Sequence, residues 1–318
     1  MLGLTSYLVF FAIVVLILGI ATLGLNLQWG TTGLFNAGVV GFYAVGGYTF
    51  AILRAAPRPE LLGNFGLPWL VAVLGAMAAS ALAALMVGLV TIRLRGDYLA
   101  ITTFGIAVSI QLVALNAQAL TGGPFGIGFI PRPFASWADR PALFDGAHLL
   151  LTGAVLLAVF WAVERLARSP WGRVLRAIRE DEAAAASLGK SPRRYRLQAF
   201  ALGGAVMGLA GAIQAHFIGF IAPDNYVSSL TFLVWTMLVV GGSGNNKGAV
   251  LGAILVWGLW SASGYLAGAL LPADLQARGA ALQIVGIGVV LALILVLRPR
   301  GLIGEERVVS RHIEPGAS

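Results

Sequence analysis

Nine apolar runs, near 7–25, 33–53, 68–92, 98–118, 148–163, 197–219, 229–242, 248–270 and 279–297, leave little of this chain that water would tolerate. A run of about 20 apolar residues crosses a bilayer as a helix, because only a helix satisfies its own backbone polar groups in lipid. Continuous runs without period-two alternation argue against a membrane β-barrel. Only 11% of the 318 residues are charged, against roughly a quarter in a soluble domain. The expected fold is all-α: a polytopic transmembrane helical bundle of about 8–10 membrane segments with a short cytoplasmic helix. Two runs leave the count open. The run 229–242 is short for a span, and 33–53 is interrupted by Gly38, Gly41, Gly46 and Gly47, so either could be re-entrant or broken. The first run lacks the basic flank of a secretory signal and reads as a retained span. The 42 glycines suit helices whose backbones approach closely.

Charge orients the bundle. Nine Lys/Arg lie between Arg165 and Arg196, and Arg298, Arg300, Arg307 and Arg311 follow the last run. The positive-inside rule places both groups in the cytoplasm, and the four runs between them permit it. Counting backwards puts Arg93 and Arg95 inside, and 120–147 and the N-terminus outside. The organisation expected is one transmembrane domain over 1–300, with a loop at 169–196, and a polar, frayed cytoplasmic tail over 301–318. A net charge of +8 would raise nucleic acid as a partner in a soluble protein. Here the bases sit at span ends, which points to the lipid bilayer and its anionic headgroups instead.

The loop "SPWGRVLRAIREDEAAAASLGKSPRRYR" (169–196) is densely punctuated. Ser169-Pro170 starts a helix. Trp171, Val174, Leu175 and Ile178 then form an apolar stripe, with Arg173, Arg176 and Arg179 off it, as in a membrane-surface helix. Glu180, Asp181 and Glu182 stand at the N-terminal end of a second helix of two to three turns, built on Ala183, Ala184, Ala185 and Ala186. Gly189 closes it, Lys190 sits at its negative end, and Ser191-Pro192 begins the next helix. So short a helix is marginal alone in water. Either this is a solvated loop with helical propensity, or its small alanine face docks into a groove on a cytoplasmic partner.

Chemistry is sparse. The chain has no cysteine, which removes disulfides, thiolate metal sites and cysteine nucleophiles. His148, His216 and His312 show no metal spacing, and His216 reads as a hydrogen-bonded packing residue. Asp97 reads as a helix-end partner, Asp224 as a turn residue, and Glu164 lies at a span end beside Arg165. Neither GxSxG, HExxH nor a P-loop occurs, so no enzyme, bound metal or cofactor is expected in this chain. Without relay acids or a nucleotide site, it is either a stand-alone channel or a device worked mechanically by another subunit. Candidates for a solute path are Asn36, Tyr43, Thr102, Thr103 and Asn225, each competing with plain helix packing. Amides exposed around the glycines of 33–53 could bind a carboxylate without a buried charge. The outer stretch "TGGPFGIG" is either a contact for a delivering protein or a turn.

The loop resembles the EAA loop of bacterial ABC importer permeases, the coupling helix that fits a cleft on the ATPase subunit. More of the chain is similar to branched-chain amino acid permeases of the LivM type: "LGLNLQWGTTGLFNAG", "GGYTFAIL", "RLRGDYLAITTFGIA", "LTGGPFGI", "SPWGRVLRAIREDEAAAASLG", "AGAIQAHFIGFIAPD", "VVGGSGNNKGAVLGA" and "LRPRGLIG", in order from about residue 20 to 304. The resemblance implies an ATP-driven importer of branched-chain or other hydrophobic amino acids in a bacterial inner membrane. Its partners would be a second homologous permease, two ABC ATPase subunits that hydrolyse the ATP, and a periplasmic substrate-binding protein. Urea and short-amide permeases share these blocks and are the alternative. On this resemblance Glu182, Ala183, Ala184, Gly189 and Lys190 couple the bundle to the ATPase. The general pattern places three residues between its second alanine and its glycine, whereas four separate Ala184 from Gly189. Either Glu182 is the family glutamate with one extra residue, or Ala183, Ala184 and Ala185 take its register without an acid.

Overall fold

The computed structural model describes residues 2–305 apart from 60, 95, 135, 136, 138, 271, 273–275 and 299, so Arg95, Arg307, Arg311 and His312 lie outside the described residues. Each apolar run of the sequence becomes a helix: α1 (Leu2–Gln28), α2 (Val39–Arg54), α3 (Trp69–Thr91), α4 (Asp97–Asn116), α6 (Pro141–Arg168), α9 (Pro192–Ile218), α10 (Ser228–Gly241), α11 (Asn246–Leu270) and α12 (Gln276–Leu297). Three short helices join them: α5 (Gln118–Thr121), α7 (Pro170–Glu180) and α8 (Glu182–Ser187). Among the described residues, six helices are long and apolar enough to cross a membrane. The 14-residue α10 and 16-residue α2 are shorter, as their runs foretold.

Helix α9 occupies the centre, packed on α1, α2 and α3. It can do so because its contact positions are glycines. A Cβ on Gly203 would lie 2.8 Å from the Gly24 carbonyl oxygen, and one on Gly211 would collide with the Tyr43 carbonyl. Gly46 meets Gly208 in the same manner, so the α2 and α9 backbones touch directly. Small residues allow such approach, and close backbone contact is the main attraction between helices where lipid removes the hydrophobic driving force. Around these crossings Ile13, Ile17, Phe42, Phe50, Phe200, Met207 and Met237 are buried. The outward faces of α3 and α4 leave Leu74, Leu82, Val90, Ile101 and Val113 exposed, which is the surface a bilayer covers.

The bundle has two distinct ends. One, the basic end, carries α7, α8, the α10–α11 turn and residues 301–305. At the opposite end β1 (Ile127–Gly128) pairs antiparallel with β2 (Phe220–Ile221), Ile127 facing Ile221. That pairing absorbs "TGGPFGIG" into a tight fold whose Gly122, Gly123 and Gly126 all have positive φ.

One expectation about 33–53 needs correction. The break falls at Gly38 but not at the other three glycines. Residues 33–38 are irregular, and Gly41, Gly46 and Gly47 lie inside the continuous α2. These three glycines serve close packing, while the break before α2 is held by Thr103 from α4 and by Asn36 within it, whose side chains take the Ala37 and Gly38 amides.

Candidate functional site

Local capping builds the basic-end loop. Ser169 Oγ accepts from the Gly172 amide at 3.4 Å, opening α7 as the Ser-Pro pair foretold. The expected stripe faces inward: Leu175 and Ile178 are buried, and the half-buried Trp171 donates its indole N–H to Gln198 Oε1 at 2.8 Å. Asp181 then serves two helices. Its amide donates to the Ala177 carbonyl at 2.9 Å, ending α7, and its carboxylate accepts from the Ala184 amide at 2.9 Å, opening α8.

Helix α8 therefore has six residues, less than two turns, rather than the two to three expected. Asp181 stands in extended backbone as the N-cap, which removes 180 and 181 from the helix. At the other end Gly189, with φ +74°, lets its own amide reach the Ala186 carbonyl (2.9 Å) and the Lys190 amide reach Ala185 (3.2 Å). Only Ala185 of α8 is buried. Glu182, Ala183, Ala184, Gly189 and Lys190 are all exposed, and Leu188 is 79% exposed. An ion pair from Glu182 to Arg196, 2.9 Å, ties α8 to the first turns of α9.

Sequence reading missed how this loop is anchored. Arg179 donates one guanidinium N–H to the Gly30 carbonyl and another to Glu305 Oε2 at 2.8 Å. The segment holding Glu305 is itself pinned, since the Leu302 and Ile303 amides donate to the Val240 and Gly241 carbonyls, both at 2.9 Å. Asn26 accepts from the Gly244 amide and donates to Asn246, which donates to Glu164 Oε2 at 2.7 Å. These partners stand 82 to 220 residues apart, so no short motif announces them.

The proposed path residues do not converge on one cavity. Asn36 and Thr103 come together at the break before α2. Asn36 donates to Gln28 Oε1 (2.6 Å) and accepts from its neighbour's amide at Gly38 (2.8 Å), while Thr103 Oγ1 accepts from the Ala37 amide (3.0 Å). The Val40 amide goes to Thr231 Oγ1 at 3.1 Å, and Trp235 donates to the Asn36 carbonyl at 2.9 Å. The amides of Ala37, Gly38 and Val40 are thus taken by the protein rather than left for a carboxylate. Tyr43 is fully buried beside Tyr226, ring centroids 6.0 Å apart, and among the described residues neither hydroxyl has a partner. Thr102 lies on the other side of α4 from Thr103 and bonds its own helix at the Tyr98 carbonyl. Asn225 is exposed at the opposite end and caps the Ala222 amide at 2.8 Å.

The histidines also depart from expectation. His148 and His216, distant in sequence, lie with ring centroids 5.6 Å apart in a tilted arrangement, and among the described residues neither ring nitrogen of the buried His216 has a hydrogen-bond partner. Its neighbours are the rings of Phe50 and Trp69, which offer contact but no acceptor. Among the described residues, no group of three His, Cys, Asp or Glu could hold a metal.

A helical bundle with a doubly capped, exposed helix at its basic end fits several transporter architectures, and comparison with known proteins selects among them. The profile of the family described as branched-chain amino acid transport system / permease component matches residues 7–297. The chain belongs to that family. It is 37% identical to the high-affinity branched-chain amino acid transport system permease protein LivM of Escherichia coli (strain K12) over 74% of this chain and 58% of that protein. The LivM protein of Salmonella typhimurium is 36% identical over the same shares. A probable LivM permease of Methanocaldococcus jannaschii is 28% identical over 92% of this chain and 91% of its own length. The chain thus spans 58% of the length of the two bacterial relatives. No solved structure matches the chain. Family membership and the six long apolar helices make this a multi-pass inner-membrane protein. Its relatives are named as transporter permeases rather than enzymes.

Proposed function

We propose that this chain is a permease subunit of an ATP-driven ABC importer for branched-chain or other hydrophobic amino acids, and that α8 is the lever through which ATPase subunits move it. The observation that carries this reading is α8 itself: capped at both ends, tethered by Glu182 to Arg196, yet burying only Ala185. A rigid helix that leaves its alanine face and Leu188 in water is built to be covered by a partner. The printed names of the relatives support the solute class. The basic end and the C-terminus then face the cytoplasm, with a second homologous permease, two ATPase subunits and a periplasmic binding protein completing the machine. ATP is held by the partners, and this chain contributes no cofactor.

The push follows the hydrogen bonds. Because Asp181 closes α7 and opens α8, displacement of α8 carries α7 with it. Arg179 passes the motion to Gly30, where α1 has just ended, and to Glu305 beside the α10–α11 turn. Glu182, Ala183, Ala184, Gly189 and Lys190 form the coupling surface. Asn36, Tyr43, Thr102, Thr103 and Asn225 remain the path candidates, with Thr102 on a face of α4 open to a second permease.

The test is leucine uptake in a strain lacking other routes, with the partner genes supplied. Wild type takes up leucine, urea does not compete, and Gly189→Trp inserts normally but transports nothing. Unchanged uptake by that variant overturns the lever, competition by urea reassigns the solute to short amides, and solute passage without ATPase subunits makes the chain a channel.

A further inference from the structure

We propose that the basic end carries a binding groove for an anionic phospholipid between α6, α7 and α11. A groove of about 600 Å³ is lined by Phe160, Trp161, Arg165, Arg168 and Lys247, and it runs into a polar recess of about 110 Å³ that adds Arg176. The two hollows share Glu164, Arg168 and Lys247, so they form one channel from the aromatic rings to the cations.

The order of these groups matches a phospholipid. Trp161, 65% exposed, lies two turns before the end of α6, with exposed Leu157 one turn deeper on the same face. Tryptophan there marks the level of the headgroup–acyl boundary. Arg165 stands over the Trp161 ring, its guanidinium carbon 5.5 Å from the centroid, so the indole holds a cation at that boundary.

The charge balance selects an anion. Glu164 is already neutralised by Arg168 at 2.6 Å and bonded by Asn246, and Glu305 is paired with Arg179. Among the described residues, no carboxylate lies within ion-pair distance of Arg165, Arg176 or Lys247. Two uncompensated cations at the recess, Arg176 and Lys247, and a third, Arg165, in the aromatic-walled groove beside it recognise a phosphate that bears an acyl tail. Bound lipid would join α6, α7 and α11 through its headgroup, bracing the helix that carries Arg179.

The test uses the full chain in nanodiscs of phosphatidylcholine containing phosphatidylglycerol, with retained lipid read by native mass spectrometry. Wild type retains phosphatidylglycerol over phosphatidylcholine. Each cation contributes roughly a fivefold preference, so Arg165→Ala with Lys247→Ala lowers retention about 25-fold. Arg165→Lys with Lys247→Arg keeps it. Both residues are exposed, so the fold survives, and unchanged circular dichroism verifies this. A control pair, Arg193→Ala with Arg194→Ala, changes the charge equally outside the groove and leaves retention unchanged. Equal retention by the groove variant, an equal loss in the control, or displacement by millimolar glycerol phosphate each overturns the proposal, the last by making the ligand a soluble phosphate ester.

Discussion

Residues 30–38 and 181–190 both interrupt a helical chain, and they do so in opposite ways. The first lies within the bundle, and the Ala37, Gly38 and Val40 amides are claimed by Thr103, Asn36 and Thr231. The second lies at the surface, is capped by its own neighbours Asp181 and Gly189, and buries only Ala185. The first interruption has two of its three amides held by side chains of other helices, which ties it into the rigid body. An interruption held by local caps keeps its shape while remaining free to be moved.

The sharpest way to break this contrast is Asn36→Leu. It strips the Gly38 amide and Gln28 Oε1 of their partners in a buried site, at about 1–3 kcal/mol for each unsatisfied group. Thermal unfolding in detergent should register a loss of roughly 2–5 kcal/mol. Next comes Thr103→Val, which keeps the shape but removes the acceptor of the Ala37 amide. Its expected cost is about 1–3 kcal/mol in the same measurement. Gly189→Val forces a β-branched residue into φ +74°, a local cost of about 1–2 kcal/mol that α8 absorbs by fraying. Global unfolding should hardly shift, while uptake falls at least about tenfold, a loss of some 1.4 kcal/mol in coupling. Smallest is Glu182→Gln. Its ion pair with Arg196 leaves the carboxylate side chain half exposed, so stability should change by less than about 0.5 kcal/mol. If either lever variant unfolded the protein as severely as Asn36→Leu, the division between rigid body and lever would fail.

What the sequence revealed follows the same division. The helices of the bundle were legible because each is a run of apolar residues, and the boundaries at Ser169, Gly189 and Pro192 because caps act within a few residues. Asp181 was visible as an acid but not as the shared cap, since that role depends on where α7 stops. The break before α2 was legible at Gly38, but Gly41, Gly46 and Gly47 proved to lie inside the helix. Glycines were the visible signal, whereas the groups that hold the break, Thr103 and Thr231, stand 66 and 191 residues from their amides. Arg179, Asn246 and the His148–His216 contact were likewise invisible as partners, because tertiary packing alone brings them together. The path candidates came from residue type, and type cannot separate Thr102 from Thr103 when a single residue step, about 100° of helix rotation, sends them to different faces.

The pairing of 302–303 with 240–241, and of Glu305 with Arg179, has a temporal meaning. During synthesis Arg179 emerges 126 residues ahead of its carboxylate, so the basic end stays half-assembled until α12 has been made. A chain halted short of residue 301 would present α7 without its latch, because both the Glu305 carboxylate and the 302–303 amides that pin it would be missing.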